Sequence, residues 1–313
     1  MASSNYDIVD IVVVTGPTAS GKTSFASLLA SATGGEIISA DSRQVYREMN
    51  IGTGKDYDDY IVDGKKIPYH LIDIVDPGCK YSVYEYQRDF LRVYRELKER
   101  DVLPVVCGGS GMYIDSIVSR YKLIEVPVNK ELRRRLGDKS LAELTKILSS
   151  YKTLHNITDI DDRERAIRAI EIEEYYQEND TGDDYFPQIR PLILGISFER
   201  DEIRKRISMR LESRLQSGMV EEVKSLLERR VSPDDLAYYG LEYRYITHYL
   251  KGRISYDAMK KSLETAIHRF AKRQMTWFRG MERRGITIHW LDGKLNNQQK
   301  LDSALKLINQ GFE

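Results

Sequence analysis

Ile8-Val-Asp-Ile-Val-Val-Val14-Thr-Gly16-Pro-Thr-Ala-Ser-Gly21-Lys22-Thr23 is the stretch that decides the fold of this chain. Ile8 to Val14 is β-branched and interrupted only by Asp10, as suits a strand buried on both faces. Gly16 to Thr23 matches G-x-x-x-x-G-K-[ST] at every fixed position, and a helical stretch runs on from about Thr23 to Ser31. Strand, glycine turn and helix in that order make a phosphate cradle. The glycines let backbone N–H groups turn inward, and the helix N-terminus adds a favourable dipole. Lys22 brings a charge to the terminal phosphates, and Thr23 is placed to ligate Mg²⁺. Gly16, Pro17, Thr18, Ala19, Ser20, Gly21, Lys22 and Thr23 are therefore the candidate polyphosphate-binding residues. The pattern does not choose among ATP, GTP and a diphosphate ester.

Working outward, Glu36 to Asp41 reads as a second strand and Tyr69 to Val75 as a third. Ser82 with Glu85 forms a capping box, and Val83, Tyr86, Phe90, Val93 and Leu97 share one helical face. Val102 to Cys107 is a strand ending in Gly108-Gly109, and Pro191 to Phe198 is another. Strands alternating with helices predict an α/β fold, a P-loop doubly wound and mostly parallel sheet. From Asn129 to Asp184 the chain is helical and charge-rich without a clear strand, ending in a polar loop from Gln177 to Asp184. The expected division is residues 1–128 as the first part of the catalytic core, 129–188 as a helical insertion, and 189–313 as the core continuation. That last part holds a strand and a helical C-terminal region, with helices expected over Asp201–Arg229, Asp235–Lys251 and Tyr256–Arg284. A late strand is expected over Gly285–Leu291, then one more helix.

The charges limit the partners. Lys plus Arg and Asp plus Glu both number 48, so the chain lacks the overall basic excess usual in nucleic-acid binders. The distribution is uneven, however: Lys251 to Arg284 is basic and Glu171 to Asp184 acidic. A local basic face suffices for a polyanion. The two cysteines, Cys79 and Cys107, form neither a CxxC pair nor part of a His cluster, so no zinc site or disulfide framework is expected and a reducing, cytoplasmic home fits. No apolar run could cross a bilayer, so no membrane partner is expected.

Three further motifs join the cradle. Ser39-Ala-Asp41-Ser-Arg-Gln44-Val-Tyr46 follows the second strand, where ligands of a doubly wound sheet collect. Gly108-Gly-Ser110-Gly-Met-Tyr113 follows another strand, and Ala271-Lys-Arg-Gln-Met-Thr-Trp-Phe-Arg279 lies in the basic region. With Ile51-Gly-Thr-Gly-Lys55 and His70-Leu-Ile-Asp-Ile-Val-Asp-Pro77, these motifs in this order resemble the tRNA dimethylallyltransferase family, also called tRNA isopentenyltransferases. The resemblance runs from about Ile11 to Asp292. The chain departs from the family's pattern in several places. Tyr69 stands where a His is usual, Gly54 where Ala is usual, Ser110 where Thr is usual and Glu164 where Gln is common. The insertion is also short.

The resemblance implies a prenyl transfer. The cradle would hold the diphosphate of dimethylallyl diphosphate, together with Ser110, and the group would pass to the exocyclic amine of an adenine in tRNA. Mg²⁺ is the implied cofactor, with Thr23 its ligand. Asp41 is the family-matched base; the residues alone also allow it to be a Mg²⁺ ligand or a helix N-cap. An arginine of the Arg206 and Arg210 pair, four apart on one helical face, would reach the diphosphate, and the sequence does not say which. Asp41, Ser42, Arg43 and Gln44 resemble a tRNA-contacting segment, and Gln44 has the amide geometry for adenine. The bland alternative is that they start a helix. Arg163, Arg165 and Arg168 resemble a second such segment, against the alternative of a solvated face paired with Asp159, Asp161, Asp162 and Glu164. Lys272, Arg273 and Arg279 would touch phosphates, while Trp277 and Phe278 read as core. His70 reads as a structural histidine and Cys107 as a small apolar group, with Asp73 and Asp76 left open. Gly108, Gly109 and Gly111 would allow close approach to the donor. The expected state is a monomer. Rival readings are a prenyltransferase of free adenine nucleotides, an ATP-dependent P-loop kinase, and a nucleotide-dependent RNA-binding switch.

Overall fold

A computed structural model describes residues 9–152, 160–179 and 186–310. In chain order the elements are β1 (Ile11–Thr15), α1 (Lys22–Thr33), β2 (Glu36–Ser39), a 3₁₀ turn (Tyr57–Tyr60), β3 (Ile61–Val62), β4 (Lys65–Lys66) and β5 (Tyr69–His70). Then come α2 (Val83–Glu99), β6 (Pro104–Gly108), α3 (Gly111–Val118), α4 (Lys130–Leu136), α5 (Leu141–Tyr151) and α6 (Arg163–Glu178). The chain continues through β7 (Pro191–Ser197), α7 (Arg200–Gln216), α8 (Met219–Glu228), α9 (Pro233–Tyr239), α10 (Leu241–Leu250), α11 (Tyr256–Arg283), β8 (His289–Asp292) and α12 (Asn297–Gln310). It divides into two compact units, one running up to Tyr121 and resuming at Gln188, the other being Lys122–Pro187.

The larger unit is built on six strands in the order β5-β2-β6-β1-β7-β8, paired in parallel throughout. β1 is central and all five of its residues are buried. Because successive side chains point to opposite faces, Val12 and Val14 go to one side with Val105, Leu192 and Leu194. There they meet Phe25, Leu29 and Ala30 of α1 and Leu301, Ala304 and Ile308 of α12. Ile11, Val13, Val106 and Ile193 point the other way and are buried as well. Both faces are therefore covered, which is why the strands read as continuous apolar runs. The Ser82–Glu85 capping box starts α2 as expected, with both of its reciprocal hydrogen bonds formed.

Several boundaries depart from the sequence expectation. Residues Tyr69 to Val75 give only a two-residue edge strand. Leu71 and Asp73 take positive φ, at 62° and 55°, which ends the strand, and Ile74 and Val75 hang instead from the carbonyl of Val45. The expected helix over Asp201–Arg229 is two helices, broken at Gly218 (φ 97°). The one over Asp235–Lys251 is likewise split at Gly240 (φ 146°, ψ 180°). Neither glycine has a helical backbone, and the apolar period runs on across both, which hides the breaks. The late strand begins at His289 rather than Gly285. Helix α3, opening within the glycine-rich Gly108–Gly111 segment, was not expected from the sequence.

The smaller unit is helical. Leu132, Leu136, Leu144, Leu148, Ala166, Ala169 and Ile170 from α4, α5 and α6 form its own core. Its helices are capped by Asn129, by a Ser140–Glu143 capping box and by Asp162. Asp159 and the Asp180–Asp184 part of the expected polar loop lie outside the described residues.

A candidate active site where three loops meet

β1, β6 and β2 are neighbours in the sheet, so the loops leaving their C-terminal ends are neighbours too. They are the cradle Gly16–Gly21, the segment Ala40–Gln44, and Gly109-Ser110. Specific hydrogen bonds fix them together. Ser110 Oγ accepts from the Ser42 N–H at 2.9 Å, and the Ser110 N–H donates to Ala40 O at 3.2 Å. Gln274, reaching in from α11, accepts from the Thr18 N–H at 2.9 Å through Oε1 and donates to Gly109 O at 2.8 Å through Nε2. A buried amide that uses both ends in this way locks two loops in one register. The glycines at the end of β6 and just after it make room for neighbouring protein groups. A Cβ would sit 2.1 Å from Ala40 O at position 108, 2.4 Å from Gln274 Nε2 at 109 and 2.5 Å from the Trp277 ring at 111.

Lys22 extends along the cradle, its Nζ donating to Pro17 O at 3.3 Å. Burial holds its ammonium below the ordinary lysine value; nearby Cys107 and Asp41 oppose that shift, and Arg210 and Arg214 add to it. The lysine thus sits within the field of the Asp41 carboxylate and of two arginines. The Thr23 hydroxyl contacts the Cys107 thiol, which burial pushes up to about 12, so Cys107 packs as a neutral group. Arg206 Nε donates to Ala19 O at 3.0 Å, and its guanidinium lies 4.7 Å from the centre of the Phe198 ring. Arg210 donates to Asp56 Oδ2 at 2.7 Å. A narrow cleft of about 10 Å³ beside the cradle is lined by Thr18, Ala19, Arg210, Arg214 and Glu242 with apolar residues of α7, α8 and α11. Of the expected arginine pair, Arg206 is tied to cradle backbone and Arg210 faces the cleft.

Asp41 caps no helix. Its Oδ1 accepts from the Arg43 N–H at 2.9 Å, and residues 42–45 form turns. This removes the reading of Ser42, Arg43 and Gln44 as a helix start. Arg43 lies 5.5 Å from the Tyr238 ring centre. Gln44 is buried, and its amide N–H₂ donates to Gly54 O at 3.1 Å, so that donor is already used within the protein.

The remaining candidates divide between exposed and paired. Lys272, Arg273 and Arg279 are exposed on α11, while Phe278 is buried and Trp277 Nε1 donates to buried Asp115 at 3.2 Å. Phe278 is core, as expected, while Trp277 is half-buried. In the smaller unit Arg163 donates to Gly137 O, Arg165 pairs with Asp161 at 3.0 Å and Asp162 at 3.3 Å, and Arg168 pairs with Glu171 and donates to Val126 O at 2.8 Å. All three thus have partners inside their own unit, but only Arg165 has those of the bland alternative, Asp161 and Asp162. His70 is structural, at 2.7 Å from Glu36, and Asp73 and Asp76 pair with Lys55 and Arg47.

Sequence reasoning missed Gln274, Glu222, Arg214 and Glu242. Glu222 accepts from the backbone N–H groups of Asn50, Ile51 and Gly52 at 2.7–3.0 Å, and from the Tyr243 hydroxyl at 2.8 Å. It thereby sets the Ile51–Lys55 loop. Nothing at helical spacing distinguishes such residues from an ordinary helix surface.

Among the described residues no group of three or more His, Cys, Asp or Glu side chains is placed to hold a metal ion. A divalent cation at the cradle would rest on the Thr23 hydroxyl, ligand oxygens and water, which is the habit of Mg²⁺ at polyphosphates. The residues present fit that group. Among the described residues no helix is long and apolar enough to cross a membrane.

The comparison with known proteins agrees with this geometry. Residues 44–281 match the model of the family described as IPP transferase. A Bacteroides fragilis protein named tRNA dimethylallyltransferase 2 is 59% identical over 96% of this chain and 98% of its own. A Porphyromonas gingivalis protein named tRNA dimethylallyltransferase 1 is 54% identical over 95% and 98%. The crystal structure of a tRNA isopentenylpyrophosphate transferase from Bacillus halodurans superposes with a TM-score of 0.71 at 29% identity, covering 96% of each chain. A eukaryotic dimethylallyltransferase acting on tRNA shares the fold, with a TM-score of 0.75 at 20% identity over 95% of this chain and 77% of that one. A phosphate cradle, a carboxylate loop and a glycine-rich loop fixed on one sheet edge, in a chain that matches these proteins almost end to end, lead to one conclusion: the chain belongs to the IPP transferase family.

Proposed function

We propose that this chain is a tRNA dimethylallyltransferase. It transfers a dimethylallyl group from dimethylallyl diphosphate to the N6 amine of the adenosine 3′-adjacent to the anticodon and releases pyrophosphate. The observation that carries this reading is the fixed juxtaposition of the cradle and the Asp41 loop through Gln274 and Ser110. A phosphate site alone would serve any polyphosphate; a carboxylate held opposite it supplies what an amine nucleophile needs. The names of the relatives over nearly the whole chain support the same reading.

The chemistry balances on this chain's own residues. The adenine amine is a weak nucleophile because its lone pair is delocalised into the ring. As N6 forms its bond to the allylic carbon, that carbon's bond to the diphosphate oxygen breaks, and the electron pair leaves with pyrophosphate. The Asp41 carboxylate takes the N6 proton, and a general base of this kind contributes about 10²- to 10⁴-fold. Asp41 keeps Oδ2 for this task while Oδ1 holds the turn. Lys22, the cradle N–H groups and Arg210 stabilise charge on the leaving group. Mg²⁺ held by Thr23 and the diphosphate would supply further neutralisation when bound. The adenine must leave its stack to reach the crevice, as bases do in other base-modifying enzymes. Exposed Lys272, Arg273 and Arg279 fit contacts to tRNA phosphates, and a cytoplasmic site of action follows from the substrate.

Incubation with Mg²⁺, labelled dimethylallyl diphosphate and either unmodified tRNA or AMP tests the assignment. Label is expected in tRNA only. Label in AMP alone moves the chain to free-nucleotide prenylation, and label in neither removes prenyl transfer.

A further inference from the structure

Arg214 lies deep in the cleft beside the cradle, with a side chain only 14% exposed. Its Nη2 is buried and makes no hydrogen bond. It stands 3.8 Å from Asp56 Oδ2, too far to share a proton, and that oxygen already takes Arg210 at 2.7 Å. Glu242 lines the same cleft but is held by burial toward its neutral form. Burial, followed by the neighbouring charge of Arg210, brings the Arg214 guanidinium down to about 10, and it stays charged at neutral pH.

The surrounding backbone is shaped around this group. A Cβ at Gly54 would lie 1.7 Å from Arg214 Nη2, so the guanidinium occupies the space a side chain at 54 would need. A buried cation that shares its one ion-pair carboxylate with a second, closer arginine is poorly compensated, and burying such a charge is costly. Arg214 also lowers the proton affinity of Lys22, so the two act on the same space. A polyanion in the cradle brings the acceptors that this side of the cleft lacks.

We propose that Arg214 is a binding residue for the donor's diphosphate, completing with Lys22 and Arg210 a cationic wall that takes up the charge of the departing pyrophosphate. The proposal rests on the diphosphate reading of the cradle. Within that reading it adds a guanidinium beyond the Arg206 and Arg210 pair singled out by sequence.

The test is calorimetric titration of the full chain with Mg²⁺ and inorganic pyrophosphate, for wild type, Arg214→Met and Arg214→Lys. Arg214→Met should weaken pyrophosphate binding at least about tenfold, as loss of a charge-assisted hydrogen bond does, and Arg214→Lys should lose less. The KM for dimethylallyl diphosphate should rise in Arg214→Met while tRNA affinity is unchanged. Without ligand, Arg214→Met should melt at or above the wild-type temperature, because the cost of burying that charge beside Arg210 is gone. A purely structural arginine gives the opposite pair: earlier melting and wild-type pyrophosphate binding, which overturns the proposal. Wild-type binding by Arg214→Met overturns it whatever the melting temperature. Wild type failing to bind pyrophosphate removes the diphosphate reading itself, a separate failure.

Discussion

At the scale of single residues, chemistry depends on what each side chain is already bonded to. Asp41 spends one oxygen on the Arg43 N–H and keeps the other. Asp41→Asn preserves that acceptor and the turn but cannot take a proton. Single-turnover assays should show the rate falling about 10²- to 10⁴-fold, with tRNA affinity in a filter-binding assay unchanged. Near-normal turnover would sink the base assignment. The sequence made Asp41, Lys22 and Ser110 legible because each lies in a short motif beside a strand end. It left Gln44 looking like a base reader, because an amide's partners are set by the fold, and here one is Gly54 O. Gly54, where Ala is usual in the family, has a left-handed backbone (φ 73°), and the guanidiniums of Arg214, 160 positions on, and Arg210 fill the place of its side chain.

At the scale of elements, carboxylates do much of the joining. Glu222 on α8 gathers three backbone N–H groups of the Asn50–Gly52 segment. Glu222→Ala leaves those donors without their acceptor, and denaturant unfolding should register a loss of about 3 kcal/mol. A change within half a kcal/mol would show that water replaces the carboxylate freely. Glu36 at the start of β2 joins Arg100 after α2 and His70 on β5, at 2.7–2.9 Å. The Arg100 hydrogen bonds, more than the opposing effect of burial, hold Glu36 below its ordinary value of 4.5, with His70 contributing further. The folded state therefore binds this proton less readily than the unfolded chain. The stabilisation is complete above 4.5 and is lost as pH falls through the lower folded value. Glu36→Gln should flatten the acid limb of a stability-versus-pH curve and leave its slope near neutrality unaltered; an unchanged acid limb would exclude the linkage. Elements were legible where period and caps agreed, as in β1 and α2. They were misjudged where backbone angles at Gly218, Gly240 and Leu71 ended an element whose apolar pattern ran on.

For the whole molecule, zero net charge and a polyanionic substrate are compatible only if the positive charges are segregated. The structure separates them into kinds. Arg165 and Arg168 are paired with carboxylates of their own unit, so their charge is already matched, while Arg163 is bonded to the Gly137 carbonyl. Lys272, Arg273 and Arg279 stand exposed along α11, whose buried side carries Gln274 into the cradle. One helix thus holds the catalytic loops from its inner face and offers cations from its outer face. Sequence composition located the basic stretch but could not tell spent charges from available ones, since pairing is a property of the folded chain. The salt dependence of tRNA binding makes the distinction measurable. Each phosphate neutralised by a lysine or arginine adds close to one unit to the slope of log affinity against log salt. Replacing Lys272, Arg273 and Arg279 together by Gln should lower that slope by about two to three units. Replacing Arg163, Arg165 and Arg168 should lower it by less, because those guanidiniums must first leave their partners. Equal slopes for wild type and the α11 variant would mean that the exposed face of α11 does not meet the phosphate backbone. A larger loss from the paired arginines would place the electrostatic footprint on the smaller unit instead.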